Sequence, residues 1–198
     1  MRHTAIAEAG NTLVELLRTH MVPETIMNPD HIGLCSPADK GDLALGICLY
    51  DIRECEEIRS HTMIMLDPSN QKYPPSFLNL YYMFTAYSNG DIKYRAEEEQ
   101  RILGRTIQIL CDHAIFEHMV QGSGTPDGET VPTIEIQNLT MEEKMRIWSV
   151  PNTAYKTSLF YKLGPVEIES ERTKGAQRVV DAAFAVEEHK GRRDSGSF

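Results

Sequence analysis

A strand-like run, Asn79-Leu80-Tyr81-Tyr82-Met83-Phe84-Thr85-Ala86-Tyr87-Ser88, is followed almost at once by a long amphipathic segment that contains no proline from about Tyr94 to Phe116. Within that segment Ile102, Ile109, Phe116 and Leu103, Leu110, Met119 recur at helical spacings, while Arg101, Arg105, Gln108 and Asp112 form the opposite, wettable stripe. One face of a long helix is therefore core, and the chain must supply a partner layer for it. Glu97, Glu98 and Glu99 fall near the positive end of the helix dipole, and Glu97 and Arg101 have the spacing of a helical ion pair. A charge run of this kind is ordinarily a solvated face, with partner binding as the sharper reading.

The length of 198 residues suits one domain, expected over residues 1–186, with a tail over residues 187–198. A hydrophobic share of 41% is enough to build a core. The net charge of -9 argues against a general nucleic-acid binder, because neutralising phosphates needs a basic stripe. The sequence offers only the short Lys190-Gly191-Arg192-Arg193 segment. Cys35, Cys48, Cys55 and Cys111 contain no Cys-x-x-Cys pair and read as four reduced thiols, with Cys48 and Cys111 acting as small hydrophobes. No apolar run approaches the length of a membrane span and no signal-peptide pattern is visible, so the expectation is a protein folded in the cytoplasm. An extracellular fate would require export inside a larger particle, or lysis.

An N-terminal helix is expected over residues 4–21, with Ile6, Leu13, Leu16 and Leu17 on one side and Pro23 and Pro29 in the loop after it. Ile32-Gly33-Leu34-Cys35, a turn through Pro37 and Gly41, and a strand over residues 43–55 predict a β-hairpin or a wider strand connection. Residues 60–66 read as another extended piece. Residues 67–75, with three prolines, read as an exposed, mobile loop and a candidate contact arm. Residues 122–128 are glycine-rich but neither follow a strand nor end in Gly-Lys-Ser/Thr, so they read as helix cap and loop rather than a phosphate cradle. A short strand is expected over residues 133–137. Thr140-Met141-Glu142-Glu143 has capping-box spacing and opens a helix through Trp148. Extended alternation resumes over residues 158–169, where Gly164-Pro165 predicts a bulge or bend and Pro165 an edge position or a kink. Val180, Ala182, Phe184 and Val186 suggest a terminal strand, after which the chain should fray.

Catalytic and metal signatures are missing. His113 and His118 are five apart, which does not place two ligands on one helix face. There is no Gly-x-Ser-x-Gly elbow, no His-Glu-x-x-His and no Gly-x-Gly-x-x-Gly after a strand. Residue types alone nominate no catalytic residue, no cofactor and no metal site.

Three segments together resemble a known family. Ile32-Gly33-Leu34-Cys35-Ser36-Pro37 with the strand over residues 45–52, Asn79-Leu80-Tyr81-Tyr82 through Glu97-Glu98-Glu99-Gln100, and Ile147-Trp148 through Tyr155-Lys156-Thr157-Ser158-Leu159-Phe160-Tyr161 are similar, in order and spacing, to the tube-terminator or cap proteins of contractile injection systems. The resemblance covers about residues 5–186. One departure is Ala154, where relatives often carry proline before the aromatic residue, which bears on the rigidity of that turn. The resemblance implies an α/β (α+β) fold like the tail terminators of long-tailed phages: a mixed β-sheet with helices packed on it. It also implies a homo-oligomeric ring of six subunits, seated on the end of the inner tube protein and touching the last layer of sheath protein. Nucleic acid and direct membrane insertion are not part of that expectation.

The contacts such a protein needs are expected at residues 67–75, residues 122–128, an exposed Arg101 and Arg105 stripe, and the tail from Glu187 through Arg192. Aromatic and arginine side chains dominate interface energetics, so Tyr73, Arg101 and Arg105 rank first. Two alternatives stand beside this reading. One is a baseplate or tube-initiation adaptor of the same kind of particle; the other is a small-ligand α/β enzyme using His61 or His113 with a carboxylate.

Overall fold

The structure is a computed structural model that describes residues 3–58, 62–67, 69–116, 131–149 and 153–175. Helix α1 (Ala5–Met21) buries Ala5, Ala9, Leu13, Leu17 and Met21 along one stripe and ends at Val22, whose extended backbone is what a following proline demands. Strands β1 (Ile32–Leu34) and β2 (Leu45–Glu54) come next, then β3 (Ile64–Asp67), β4 (Asn70–Lys72) and β5 (Ser76–Ala86). Helix α2 (Ile92–Asp112), strand β6 (Thr133–Ile136), helix α3 (Met141–Ile147), and strands β7 (Ser158–Ile168) and β8 (Thr173–Gly175) complete the described chain.

The main sheet has the order β1-β2-β5-β7-β6, and every neighbour pair is antiparallel except β1 with β2. It is a mixed sheet with helices packed on it, as expected. Of the two connections considered after β1, the hairpin is excluded: β1 and β2 run parallel, joined by the wide excursion over residues 35–44.

Leu45, Ile47, Leu80, Tyr82, Phe84, Tyr161 and Leu163 share one face with the buried stripes of α1 and α2. The opposite face carries a smaller cluster in which Trp148, at the end of α3, packs on Met83 and Phe160. The capping box at Thr140 forms as read: Glu143 N–H donates to Thr140 Oγ1, and Thr140 N–H donates to Glu143 Oε2 at 2.8 Å. Both outer rims of the sheet are partly closed. At β1, Arg18 Nε and Nη2 donate to the outward carbonyl of Ile32 at 3.2 and 2.9 Å. At β6, Ile134 N–H donates to Ala114 O at 2.8 Å and Phe116 N–H to Pro132 O at 2.9 Å.

Those last contacts correct the expected helix end. α2 stops at Asp112, and Phe116 reaches the core from an extended segment in which Ile115 pairs with Thr133. A β-branched residue next to an aromatic is as well served by a strand rim as by a helix. The loop expected over residues 67–75 is also corrected. β4 lies inside that range, between β3 and β8 in a three-stranded antiparallel sheet, where Lys72 Nζ meets Glu169 Oε2 at 2.8 Å.

Pro165 lies on a flank of β7 that β6 does not cover, because the β6 pairing stops at Gly164, so the edge reading holds locally although β7 as a whole runs between β5 and β6. It sits in a bulge: Gly164 and Pro165 together face Asn79, between the pairs Leu80↔Leu163 and Leu78↔Val166. The strand suggested by Val180 to Val186 lies outside the described residues.

A β-carbon at Gly164 would overlap Asn79 Oδ1 and lie 3.1 Å from the Leu78 carbonyl oxygen. Backbone cannot yield as a flexible side chain can, so Gly164→Ala should destabilise the fold by about 1–3 kcal/mol. Urea unfolding followed by tryptophan fluorescence measures this, Trp148 being the single reporter.

Candidate assembly interface

α2 is longer than the core beneath it. Asp91 caps its start by accepting from Lys93 N–H at 3.0 Å, and residues 92–98 are all exposed; buried positions begin at Ile102. The first two turns of the helix, roughly 10 Å at 1.5 Å per residue, therefore project with no core beneath them. Glu98 and Glu99 hold the helix there. Glu99 Oε1 accepts from Ser88 N–H at 3.1 Å and pairs with Lys156 Nζ, and Glu98 accepts from the Ser88 hydroxyl. The overhang presents Ile92, 81% exposed, and Tyr94, 57% exposed, together with the Glu97–Arg101 pair at 2.8 Å. Large apolar side chains on a helix with no core under them are what an assembly contact would use.

The two arginines expected on that stripe part company. Arg101 is exposed, as read. Arg105 is half-buried: its Nη2 donates to the His20 carbonyl at 2.9 Å, near the C-terminal end of α1, and its Nη1 donates to Gln108 Oε1 at 2.8 Å. It joins the two helices rather than facing outward, and any part it plays at an interface comes second to that bond. Tyr73 is half-buried as well. Its N–H donates to the Arg172 carbonyl at 3.0 Å, and the Arg172 guanidinium lies 4.3 Å from its ring centroid. His61, residues 122–128, Glu187 and Arg192 lie outside the described residues.

Two further exposed apolar pairs carry a signal that sequence reasoning missed. Met65 and Leu66 stand on β3, 62% and 53% exposed. Met141 and Met145 are an i, i+4 pair on α3, whose other residues include four charged ones, so that stripe has no local partner. Apolar residues at helical spacing on a short, otherwise charged helix are the pattern that would have pointed there.

A groove of about 660 Å³ runs between the outer side of α1 and residues 113–116, lined by Glu8, Glu15, Leu16, His20, His113 and Phe116 among others. The His20 and His113 rings pack at 4.4 Å between centroids. Among the described residues neither imidazole hydrogen-bonds a carboxylate. No group of three or more metal-ligating side chains is found among the described residues, and no helix there is long and apolar enough to cross a membrane.

The arrangement is a layered sheet-and-helix module whose notable surface features are exposed apolar side chains on α2, β3 and α3. Two solved structures share the fold. One is the sheath/tube terminator of PVC, an extracellular contractile injection system, in its extended state: TM-score 0.61, 15% identity, 96% of this chain and 64% of that chain covered. The other is the tube-terminating cap of the anti-feeding prophage: TM-score 0.59, 13% identity, 91% of this chain and 61% of that chain covered. This chain thus spans less than two thirds of the length of either. No curated protein sequence matches it. The Pvc16 N-terminal domain matches over residues 8–182, and the chain belongs to that family.

The two arginines give opposite expectations. Arg105→Ala should cost about 1.5–3 kcal/mol, the range for hydrogen bonds from charged groups. Arg101→Ala should stay within about 0.5 kcal/mol, as exposed ion pairs do. Parallel denaturant curves separate them.

The Lys72 ammonium holds the Glu169 carboxyl down to about 2, below its ordinary value of 4.5. A folded-state value below the unfolded one adds stability that is complete above about 4.5 and lost as pH falls toward 2. Amide protection factors in β4 and β8, taken relative to intrinsic exchange, should therefore fall as pH drops across that window, and Lys72→Met should move the carboxyl upward; NMR reads both.

Proposed function

We propose that this chain is a structural cap, or terminator, of a contractile injection system: copies close into a ring of six on the end of the inner tube and hold the last layer of sheath. The observation that carries the reading is the fold match to a sheath/tube terminator over 96% of this chain. Membership of the Pvc16 N-terminal domain family supports it. A tube grows by adding identical rings to an open face. A ring whose own subunit contacts close on themselves covers that face and offers no equivalent one, so growth stops. Contraction requires the sheath to stay attached at this end, so the same ring would bear load.

In this reading the protein needs no active site and no cofactor. Its partners are further copies of itself, tube protein and sheath protein; it assembles in the cytoplasm and leaves the cell as part of a phage-tail-like particle. The α2 overhang, with Ile92, Tyr94 and Arg101, supplies one ring or sheath contact. The exposed β3 pair Met65 and Leu66 supplies another, with Tyr73 just past the end of the neighbouring strand β4, and the tail residues Glu187 and Arg192 add a third.

Purified chain mixed with tube protein should shorten the tube-length distribution in negative-stain images and place a ring at one tube end. More numerous tubes of undiminished length would instead indicate an initiation adaptor, and a monomer that never touches tubes would defeat both. Ile92→Asp combined with Arg101→Glu should abolish capping while the unfolding midpoint stays where it was, because neither side chain touches the core.

A further inference from the structure

The strand register places two thiols opposite each other. β1 and β2 pair as Ile32↔Leu45, Gly33↔Gly46 and Leu34↔Ile47. Cys35 extends the ladder by one step, its N–H donating to the Ile47 carbonyl at 3.0 Å, so Cys35 stands across from Cys48. Adjacent strands lie about 4.8 Å apart, inside the Cα separation of about 4.4–6.8 Å that a disulfide spans.

Side-chain direction agrees with register. Ile47 and Leu34 point toward α1 and the core: Ile47 is fully buried, and Leu34 Cδ1 lies 3.0 Å from where a β-carbon of Gly10 would be. Their neighbours Cys48 and Cys35 therefore point to the other face of the sheet. Cys35 Sγ confirms it, lying 2.6 Å from the position of a β-carbon on Gly46, the β2 residue two before Cys48 on that same face. The missing side chain at Gly46 is what leaves room for the sulfur, beneath the Tyr87 ring. Beyond Cys35 the chain leaves the sheet into the excursion over residues 35–44, so this sulfur sits at a strand end that can move toward its partner. The other two cysteines are elsewhere: Cys55 is buried just past the far end of β2, and Cys111 is exposed on α2, which packs on the opposite face.

We infer that Cys35 and Cys48 are a reversible cross-strand disulfide site, closed by thiol–disulfide exchange with a small-molecule disulfide such as oxidised glutathione. One cysteine thiolate attacks a sulfur of the oxidant, forming a mixed disulfide and expelling one thiolate. The second cysteine thiolate then attacks the protein sulfur of that mixed disulfide and expels the other. Two cysteine protons and two electrons leave the protein, and the oxidant becomes two thiols. The product pins the rim strand β1 and closes the excursion into a covalent loop. The site does not depend on the cap reading.

Burial pushes the Cys35 thiol up to about 11, with the facing Cys48 thiol, Asp39 and Lys40 as the nearby titratable groups, and burial raises Cys48 too. Tyr87 is likewise raised to about 12, mainly by burial. Exchange needs the thiolate, so closure should be slow at neutral pH and gain close to tenfold in rate per pH unit through the alkaline range.

The test equilibrates the full chain in glutathione buffers of graded oxidation, quenches with an alkylating agent and maps peptides by mass spectrometry. The expected result is a Cys35–Cys48 linked peptide, two mass units lighter than its reduced parts. After unfolding in the quench, Cys55 should carry the alkyl group and the exposed Cys111 either the alkyl group or a single glutathione, neither being linked to another cysteine, and the closure rate should climb with pH. Reduction with excess dithiothreitol should restore all four thiols. Cys35→Ser and Cys48→Ser should each leave the other cysteine as a free or singly glutathionylated thiol. Alkylation of both Cys35 and Cys48 after full equilibration in oxidised glutathione would overturn the proposal. So would glutathione trapped on both, or a linkage that pairs either one with Cys111.

Discussion

Strand β5 is bonded along both sides, to β2 and to β7, and the rest of the structure has to respect the phase it sets. Leu80, Tyr82, Phe84 and Ala86 face the helices, so each neighbour must bring its own apolar residues to the same level. Neither neighbour does so with a regular alternation. β2 carries Leu45, Ile47 and Leu49 on that side and then changes parity to Ile52, with Tyr50 as the extra residue between. β7 carries Leu159, Tyr161 and Leu163, then changes parity to Val166 and Ile168 across Gly164-Pro165. Each bulge restores the inward face after one inserted residue, and Gly164 allows the close approach to Asn79 that the second one requires.

The bulge in β7 is legible in Gly164-Pro165, whereas residues 43–55 read as one uninterrupted strand and the extra residue in β2, Tyr50, shows only in its pairing with β5. Elements whose signal is local were equally readable: α1, the capping box of α3, and the amphipathic half of α2. The failures share a cause. Residues 67–75 look like a loop because their turn chemistry is local, whereas β4 is ordered by β3 on one side and, on the other, by β8, about a hundred residues later. The end of α2 was placed too late because Phe116 keeps helical phase with Ile102 and Ile109, yet its backbone bonds go to Pro132.

The candidate contacts divide in the same way. Arg101 and Arg105 are indistinguishable by spacing, both on the polar stripe of α2. What separates them is the carbonyl of His20, which meets Arg105 at the helix crossing and leaves Arg101 to solvent. Exposure of Ile92 and Tyr94 was also hidden, since nothing in the pattern says that the core stops short of the helix. A residue that looks like the start of a buried stripe becomes a projecting one only when the length of the layer below is known.

Arg18 has a consequence beyond fastening α1 to β1. An unoccupied strand rim is an invitation to add another strand, and chains that accept it build open-ended stacks. Here two guanidinium nitrogens occupy the outward carbonyl of Ile32, on a strand only three residues long. A second copy approaching that rim meets a cation already seated where its own amide would have to go. Association at this edge is thus steered away from backbone-to-backbone propagation and toward side-chain contacts, which fit one neighbour in one orientation and can be counted.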